Sequence, residues 1–487
     1  MADEAHVDSG LDEASGSAPA SAAPRGNLLA LTLTRLVLFV SGLIVNVVAV
    51  RHLSKEQAGV YMWVWTVVGL TTFMPNLGLW QLVTRQISRE PERAPEFVAT
   101  SLRMTWILSW LTTALITGYV WLMDGRPEVV LTAFLGGLTL AWTATSQMVQ
   151  GALHGLRRMG LEVPAVLAGR VVFVVAQVIP LVLGFGVAWV YLGRVFSAWV
   201  MFAMLMFQFR RTVGPIPRRI PKGSLKALMG QGRTYGASVF FASVSAQADT
   251  VMMRSLIGLE EVARYGAPAN VLLQLAFVAN IVSRAFFPKV AQLGGDPEKV
   301  APELMLQSRI LLLLSIPLAV GGVVVAMPLV TFLFGARYAD SSLPFAILIC
   351  TTPVRFLNNG YGFTLTALDR QSERARIDTI AAIANVAANL VAIPLYGAEG
   401  AAVTTLCTDT LSYFLLVRAV RRDVPSYTVF GPIVRTTVPA VVMAAVVLAV
   451  PQLHVLVRIA LGAAVYVVGA WLTRGWRMSD IRRLSRV

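Results

Sequence analysis

Long apolar runs dominate this chain, with polar residues gathered into short segments between them and no two-residue alternation. Such runs predict helices, and many approach the ~20 residues a helix needs to cross a bilayer's hydrocarbon core. The pattern predicts about fourteen spans, near residues 28–50, 60–80, 98–123, 129–150, 163–184, 187–209, 235–256, 265–285, 310–334, 342–366, 377–394, 399–420, 430–450 and 453–473. Continuous rather than alternating apolarity argues against a membrane barrel. One stretch, NVAANLVAIPLYGAEGAAVTTLCTD (Asn385–Asp409), is apolar throughout yet carries Pro394, Gly397 and Gly400 near its middle. It predicts two helices, one ending at Pro394 and one starting at Gly400, joined by a tight turn over Leu395–Glu399.

Composition agrees with this pattern. Of 487 residues, 56% are hydrophobic and 14% charged, and the mean hydropathy is +0.67, whereas a soluble domain carries about 25% charged residues. The expected class is therefore an all-α polytopic membrane protein. Residues 1–26 are Ala, Ser, Gly and acid-rich. They predict a disordered cytoplasmic tail, without the basic start and short apolar core of a cleaved signal.

The net charge of +15 raises the question of a nucleic-acid partner, and the placement of the basic residues answers it. One set of alternate loops and flanks holds 29 of the 41 Lys and Arg residues, including Arg85, Arg89, Arg93 and the seven between Arg210 and Arg233. The other set holds 6: Arg51, Lys55, Arg126, Arg254, Arg264 and Arg337. This asymmetry is a topology signal. It predicts that both termini are cytoplasmic and that no nucleic acid is bound. The six remaining basic residues, Arg35, Arg170, Arg194, Arg355, Arg435 and Arg458, lie within or at the ends of spans.

Catalysis finds no support. Cys350 and Cys407 stand alone in apolar runs, and His6, His52, His154 and His454 lie far apart. No metal-ligand spacing, nucleophile–base pair or phosphate-cradling loop is present, so no enzyme activity, metal or bound cofactor is expected.

An internal repeat is visible at an offset of 204 residues. RHLSKEQAGVY (Arg51–Tyr61) aligns with SLIGLEEVARY (Ser255–Tyr265), placing Glu56 on Glu260, Tyr61 on Tyr265 and, past the next helix, Arg85 on Lys289. Six spans separate the copies, so both halves enter the membrane the same way up. The expected plan is two parallel six-helix lobes, residues 27–209 and 235–422, with a basic cytoplasmic linker at 210–234. An appended helix pair at 429–473 and a basic cytoplasmic tail at 474–487 follow. Parallel repeats of this kind place the substrate site between lobes.

Four stretches resemble the polysaccharide-export flippases of the multidrug/oligosaccharidyl-lipid/polysaccharide exporter superfamily. RHLSKEQAGVYMW (Arg51–Trp63) is similar to that family's L-x-x-x-x-x-G-x-Y at the start of the second helix. AFFPKVAQL (Ala285–Leu293) resembles its F-P-x-x-x-x-L, and LFGARYADSSLPFAIL (Leu333–Leu348) its FG-x-x-Y. The Asn385–Asp409 stretch resembles its N-x-x-x-N-x-x-x-IP-x-x-G-x-x-GAA-x-x-T. The resemblance implies a V-shaped bundle of two lobes around a central cavity. It implies alternating-access transfer of an undecaprenyl-diphosphate-linked oligosaccharide from the inner to the outer leaflet of a bacterial cytoplasmic membrane, for polysaccharide biosynthesis such as lipopolysaccharide or exopolysaccharide. Lipid-linked oligosaccharide and membrane lipids are the implied partners, with polysaccharide polymerase and chain-length machinery as candidates, and a monomer is the default state. In the related lipid II flippases an extra helix pair borders a groove for the lipid tail.

A diphosphate asks for cationic partners, and Arg suits it because its planar fork makes paired hydrogen bonds. A charge inside the membrane is costly unless it meets a partner or a wet cavity. The substrate-binding candidates are therefore Arg35, Arg170, Arg355, Asn358 and Asn359. Arg170 and Arg194, each about seven residues from a helix end, are expected to snorkel to the surface, and Arg435 and Arg458 to anchor the appended pair at the interface. Asp249 and Asp409 are candidates for coupling to a proton or sodium ion, against the alternative that an Asp–Arg pair fixes packing. Trp63, Trp65, Trp80, Trp106, Trp110, Tyr119 and Trp121 read as interface belt or core, with one or two free to stack on sugar. Two competing functions, a lipid II flippase and a cation-coupled multidrug exporter, share the fold. A polymerase or acyltransferase would want a long outer loop, and every predicted outer loop is short.

Overall fold

The computed structural model describes residues 25–217, 247–427 and 430–473. The expected tails and most of the predicted linker lie outside the described residues, as does the side chain of Arg35.

The first half folds as α1 (Arg25–His52), α2 (Lys55–Thr71), α3 (Leu79–Arg89), α4 (Ala94–Met123), α5 (Pro127–Gly155), α6 (Val163–Val182) and α7 (Val187–Thr212). The second holds α8 (247–256), α9 (Leu259–Gln292), α10 (Pro297–Val324), α11 (Ala326–Phe334), α12 (Ser342–Ile349), α13 (Thr352–Ala367) and α14 (Gln371–Asp423), followed by α15 (Phe430–Ala449) and α16 (Val455–Leu472). Among the described residues, eight helices are long and apolar enough to cross a membrane.

Three predicted spans are interrupted. The span at 60–80 stops at Thr71, and the chain turns through Leu77 and Gly78, both at positive φ, before α3. The spans at 310–334 and 342–366 break at Val325 and at Cys350–Thr351. Each break is followed within three residues by a proline, Pro328 or Pro353, whose ring is tolerated in a first turn but not in a helix interior.

The Asn385–Asp409 stretch is a hairpin. Helical geometry runs through Pro394 as far as Tyr396 and fails only at Gly397 (φ 56°, ψ −133°), a conformation that essentially requires glycine. The two arms of α14 then run antiparallel: Asn385 Nδ2 donates to Thr408 Oγ1 at 3.2 Å, and Arg370 pairs with Asp423 at 2.6 Å. The turn is one residue, shorter than the predicted Leu395–Glu399. Glu261 Oε2 accepts the Ala398 N–H at 2.9 Å, satisfying an orphan donor at the start of the second arm, and Glu399 pairs with Arg264.

The apolar core has an uneven layout. At the end of the bundle predicted to face outward, one cluster joins both halves, from Ala49, Tyr61 and Trp63 to Leu259, Tyr338 and Ile393. Toward the other end the core divides. One cluster, including Leu79, Met148 and Phe209, belongs to the first half. Another, including Leu304, Tyr361 and Tyr466, belongs to the second half and its appended pair. Two lobes are thus welded at one end and packed separately at the other, and α15–α16 lie against α10.

Candidate functional site

Polar groups within the spans gather into one node in each lobe. In the second lobe, Asp249 on α8 accepts hydrogen bonds from Tyr265 Oη (2.9 Å), Asn389 Nδ2 (2.7 Å) and Thr405 Oγ1 (3.2 Å). Both arms of the hairpin contribute, which is why Asn389 and Thr405, sixteen residues apart in sequence, meet one carboxylate. Nearby, Arg355 on α13 pairs with Asp409 at 2.5 Å, and Asn358 Nδ2 donates to the Asp409 carbonyl at 2.9 Å. Asn359 Nδ2 donates to Asn280 Oδ1 at 3.3 Å. Five of the sequence candidates thus form one neighbourhood, with the Arg355 and Asp409 charges in electrostatic range of Asp249. Arg355 and Asp409 keep 31% and 22% of their side-chain surface exposed. Charged surface at that depth is expensive against lipid, so it implies a wet path.

The first-lobe node is cationic, and here the sequence expectation fails. Arg194 does not snorkel: it is 6% exposed. Its Nε donates to Gln177 Oε1 at 2.9 Å and its Nη2 to Tyr61 Oη at 2.5 Å. The rings of Trp65 (4.3 Å), Tyr61 (4.9 Å), Tyr191 (5.1 Å) and Phe173 (5.8 Å) surround its guanidinium carbon. Gly193 makes this reach possible, because a Cβ there would stand 2.2 Å from the Ala176 carbonyl. Only a glycine lets α6 and α7 approach closely enough beside Gln177 and Arg194. Arg170, half-buried, has its guanidinium carbon 4.9 Å from the centroid of the same Phe173 ring. Arg458 is also not an interface anchor. It is 7% exposed, with Nη2 donating to the Val447 carbonyl at 3.4 Å. Arg435 is exposed, as an anchor requires.

The two nodes share one repeat-matched residue. Tyr61 and Tyr265, matched by the 204-residue repeat, each hold the charged centre of their own lobe: Tyr61 accepts from Arg194, and Tyr265 donates to Asp249. An amide from the penultimate helix of each lobe, Gln177 or Asn389, completes the arrangement. In each lobe a tyrosine and an amide thus hold one charged side chain, a cation in the first and a carboxylate in the second.

The outward-predicted end is closed by polar contacts across the lobes. Lys55 pairs with Asp340 at 2.7 Å and Arg254 with Asp124 at 2.8 Å. Arg337 donates to the Val50 carbonyl at 3.0 Å, and Arg51 to that of Phe332 at 3.4 Å. Asp124 also binds Arg126 at 2.5 Å. Hydrogen bonding from Arg126, reinforced by Arg254, holds this carboxyl below the ordinary carboxylate range.

Two lobes, matched polar nodes and closure at one end define a multi-pass helical transporter fold. The chain belongs to the polysaccharide biosynthesis protein family, whose model it matches over residues 25–293. It is 23% identical over 396 residues to the probable flippase AglR of Haloferax volcanii, covering 79% of this chain and 80% of that one. It is 22% identical over 410 residues to the probable low-salt glycan biosynthesis flippase Agl15 of the same organism, covering 81% and 83%. Its fold is similar to that of the lipid II flippase MurJ in an inward closed conformation (TM-score 0.74, 12% identity, 92% of this chain and 98% of that one). It is also similar to a multidrug resistance MATE family transporter of the MOP superfamily facing inward (TM-score 0.62, 16% identity, 81% and 98%). The resemblance carried by the four sequence stretches holds for family and fold alike.

Proposed function

We propose that the chain is a flippase that carries an undecaprenyl-diphosphate-linked oligosaccharide repeat unit from the inner to the outer leaflet of a bacterial cytoplasmic membrane by alternating access. The relatives that carry flippase names support the activity. The observation that selects an anionic substrate is the first-lobe interior. Arg170 and Arg194 stand there without a carboxylate partner among the described residues, and neither α6 nor α7 contains Asp or Glu. A cavity for cationic drugs would want the opposite sign.

On this reading the chain spans the membrane fourteen times with both termini cytoplasmic, works as a monomer, and hands its product to polymerase and chain-length machinery. Arg35 and Arg170 supply cationic contacts to the diphosphate, and Arg355, Asn358 and Asn359 line the path of the sugars. The Asp249 node, with Asn389, Thr405 and Tyr265 around one carboxylate, takes the coupling proton or sodium ion, and the Arg355–Asp409 pair senses it. A lipid II flippase is the second reading, favoured by a fold match extending over 92% of the chain against 81% for the multidrug transporter.

Cells lacking the gene test this proposal. Lipid-linked oligosaccharide is expected to accumulate on the cytoplasmic leaflet, and wild-type protein to clear it. A deletion that accumulates nothing and becomes drug-sensitive would replace the flippase with the exporter.

A further inference from the structure

Arg194 presents an unsolved charge problem. Arginine stays ionised in proteins, and burying a charge without an opposite charge costs several kcal/mol. Two neutral oxygens and four aromatic rings compensate part of this, since the negative face of a ring attracts a desolvated cation. The compensation is incomplete, because Nη1 is buried and has no partner among the described residues. A second cation makes the imbalance larger. Phe173 is flanked by Arg170 at 4.9 Å and Arg194 at 5.8 Å from its centroid, and Arg170 has no hydrogen bond or ion pair among the described residues.

We propose that Arg170 and Arg194 form an oxyanion site inside the first lobe, which takes a phosphate group of the transported lipid. The inference rests on the flippase reading and names where its diphosphate docks. The unpartnered Nη1 and the free Arg170 fork supply donors to phosphate oxygens. Tyr61 and Gln177 hold the Arg194 guanidinium in place, so it loses little freedom on binding. Trp65, 43% exposed and 4.3 Å from Arg194, offers a ring at the mouth of the site for the first sugar to stack on. The second lobe has no such vacancy for an anion. Its arginine, Arg355, is already taken by Asp409, and Asp249 repels negative charge. The diphosphate is therefore held by one lobe only, which gives the lobes different tasks.

Purified full-length protein in nanodiscs tests this with two probes, inorganic pyrophosphate and the short isoprenyl analogue geranyl diphosphate, titrated by calorimetry. Wild type is expected to bind both, with the isoprenyl diphosphate displacing pyrophosphate. Arg194→Gln and Arg170→Gln should each weaken binding at least tenfold, Arg194→Lys should retain part of it, and Arg435→Gln, at an exposed position of the appended pair, should leave it unchanged. Arg170 is half-buried, so its variant folds even where Arg194→Gln does not. If Arg170→Gln binds both probes like wild type, or if Arg355→Gln alone abolishes binding, the site is not here. Pyrophosphate binding without competition from the isoprenyl diphosphate overturns the lipid assignment. Lipid flipping, measured on the same variants in liposomes, separates the two ideas: flipping that survives in Arg194→Gln and Arg170→Gln removes this site but keeps the flippase.

Discussion

Breaking the Arg355–Asp409 pair from one side strands the other charge within the span. Removing one partner of a fully buried pair costs about 3–5 kcal/mol. With 31% and 22% of the two side chains accessible here, about 2 kcal/mol is expected for Arg355→Gln or Asp409→Asn. The double variant Arg355→Gln/Asp409→Asn should melt near wild type. If it also fails to flip lipid, Arg355 does more than hold α13 to α14, whereas full flipping by the double variant returns the pair to a purely structural role. Sequence reasoning singled out both residues from intramembrane depth, in separate roles and without pairing them, and misjudged Arg194 by the same rule. Counting residues from a helix end says how far a side chain must reach for the surface, but not which way it points. The missing signal was rotational: Arg170, Phe173 and Gln177 share one face of α6, while Tyr61 and Trp65 on α2 and Tyr191 and Arg194 on α7 also fall at helical spacing.

At the scale of elements, the hairpin was legible because Pro394, Gly397 and Gly400 mark a break that apolarity alone conceals. Its single-residue apex was not, since Pro394 can end a helix or ride within one, depending on neighbours. Gly397→Ala is expected to destabilise the protein by about 1–3 kcal/mol, because the backbone conformation excludes a side chain and a Cβ would sit 2.7 Å from Glu261 Oε2. A thermal melt at the wild-type temperature would show that the apex tolerates a different turn. The break at Cys350–Thr351 lies beside Pro353, where the sequence predicts a bend. The breaks after Thr71 and at Val325 escaped prediction, because apolar composition continues across them and the prolines that follow can also ride within a helix.

Across the whole molecule, one shared core at the outward-predicted end and two separate cores toward the other describe lobes joined at one end and packed separately at the other. The repeat made two halves readable from sequence, and the charge asymmetry supplies their expected orientation. The latch was not, because Asp124–Arg254 and Lys55–Asp340 join residues 130 and 285 positions apart. Reversing Asp124 to Arg should favour the state open to the outside, and adding Arg254→Asp should restore closure, as read by spin-label distances across the outer end. A double reversal that stays open would mean that the pair does not set the equilibrium. Proton dependence of this latch follows from its carboxyl. The folded-state pKa of Asp124 lies below its ordinary value, so the contribution of its ion pairs is fully present above that value and is lost only as pH falls through the lowered one. Between pH 5 and 8 the outer distance should therefore not change, and a transition within that window would assign pH control of closure to another group.

The most direct test of the central claim is flipping itself. Purified protein is reconstituted into liposomes with a fluorescent polyprenyl-diphosphate oligosaccharide distributed over both leaflets, and a membrane-impermeant quencher is added outside. With an active flippase, nearly all fluorescence should become accessible over time in protein-containing vesicles, against about half in empty ones. Accessibility that stays at about half, from protein that is folded by its melting curve and supplied with a proton or sodium gradient, would contradict the assignment.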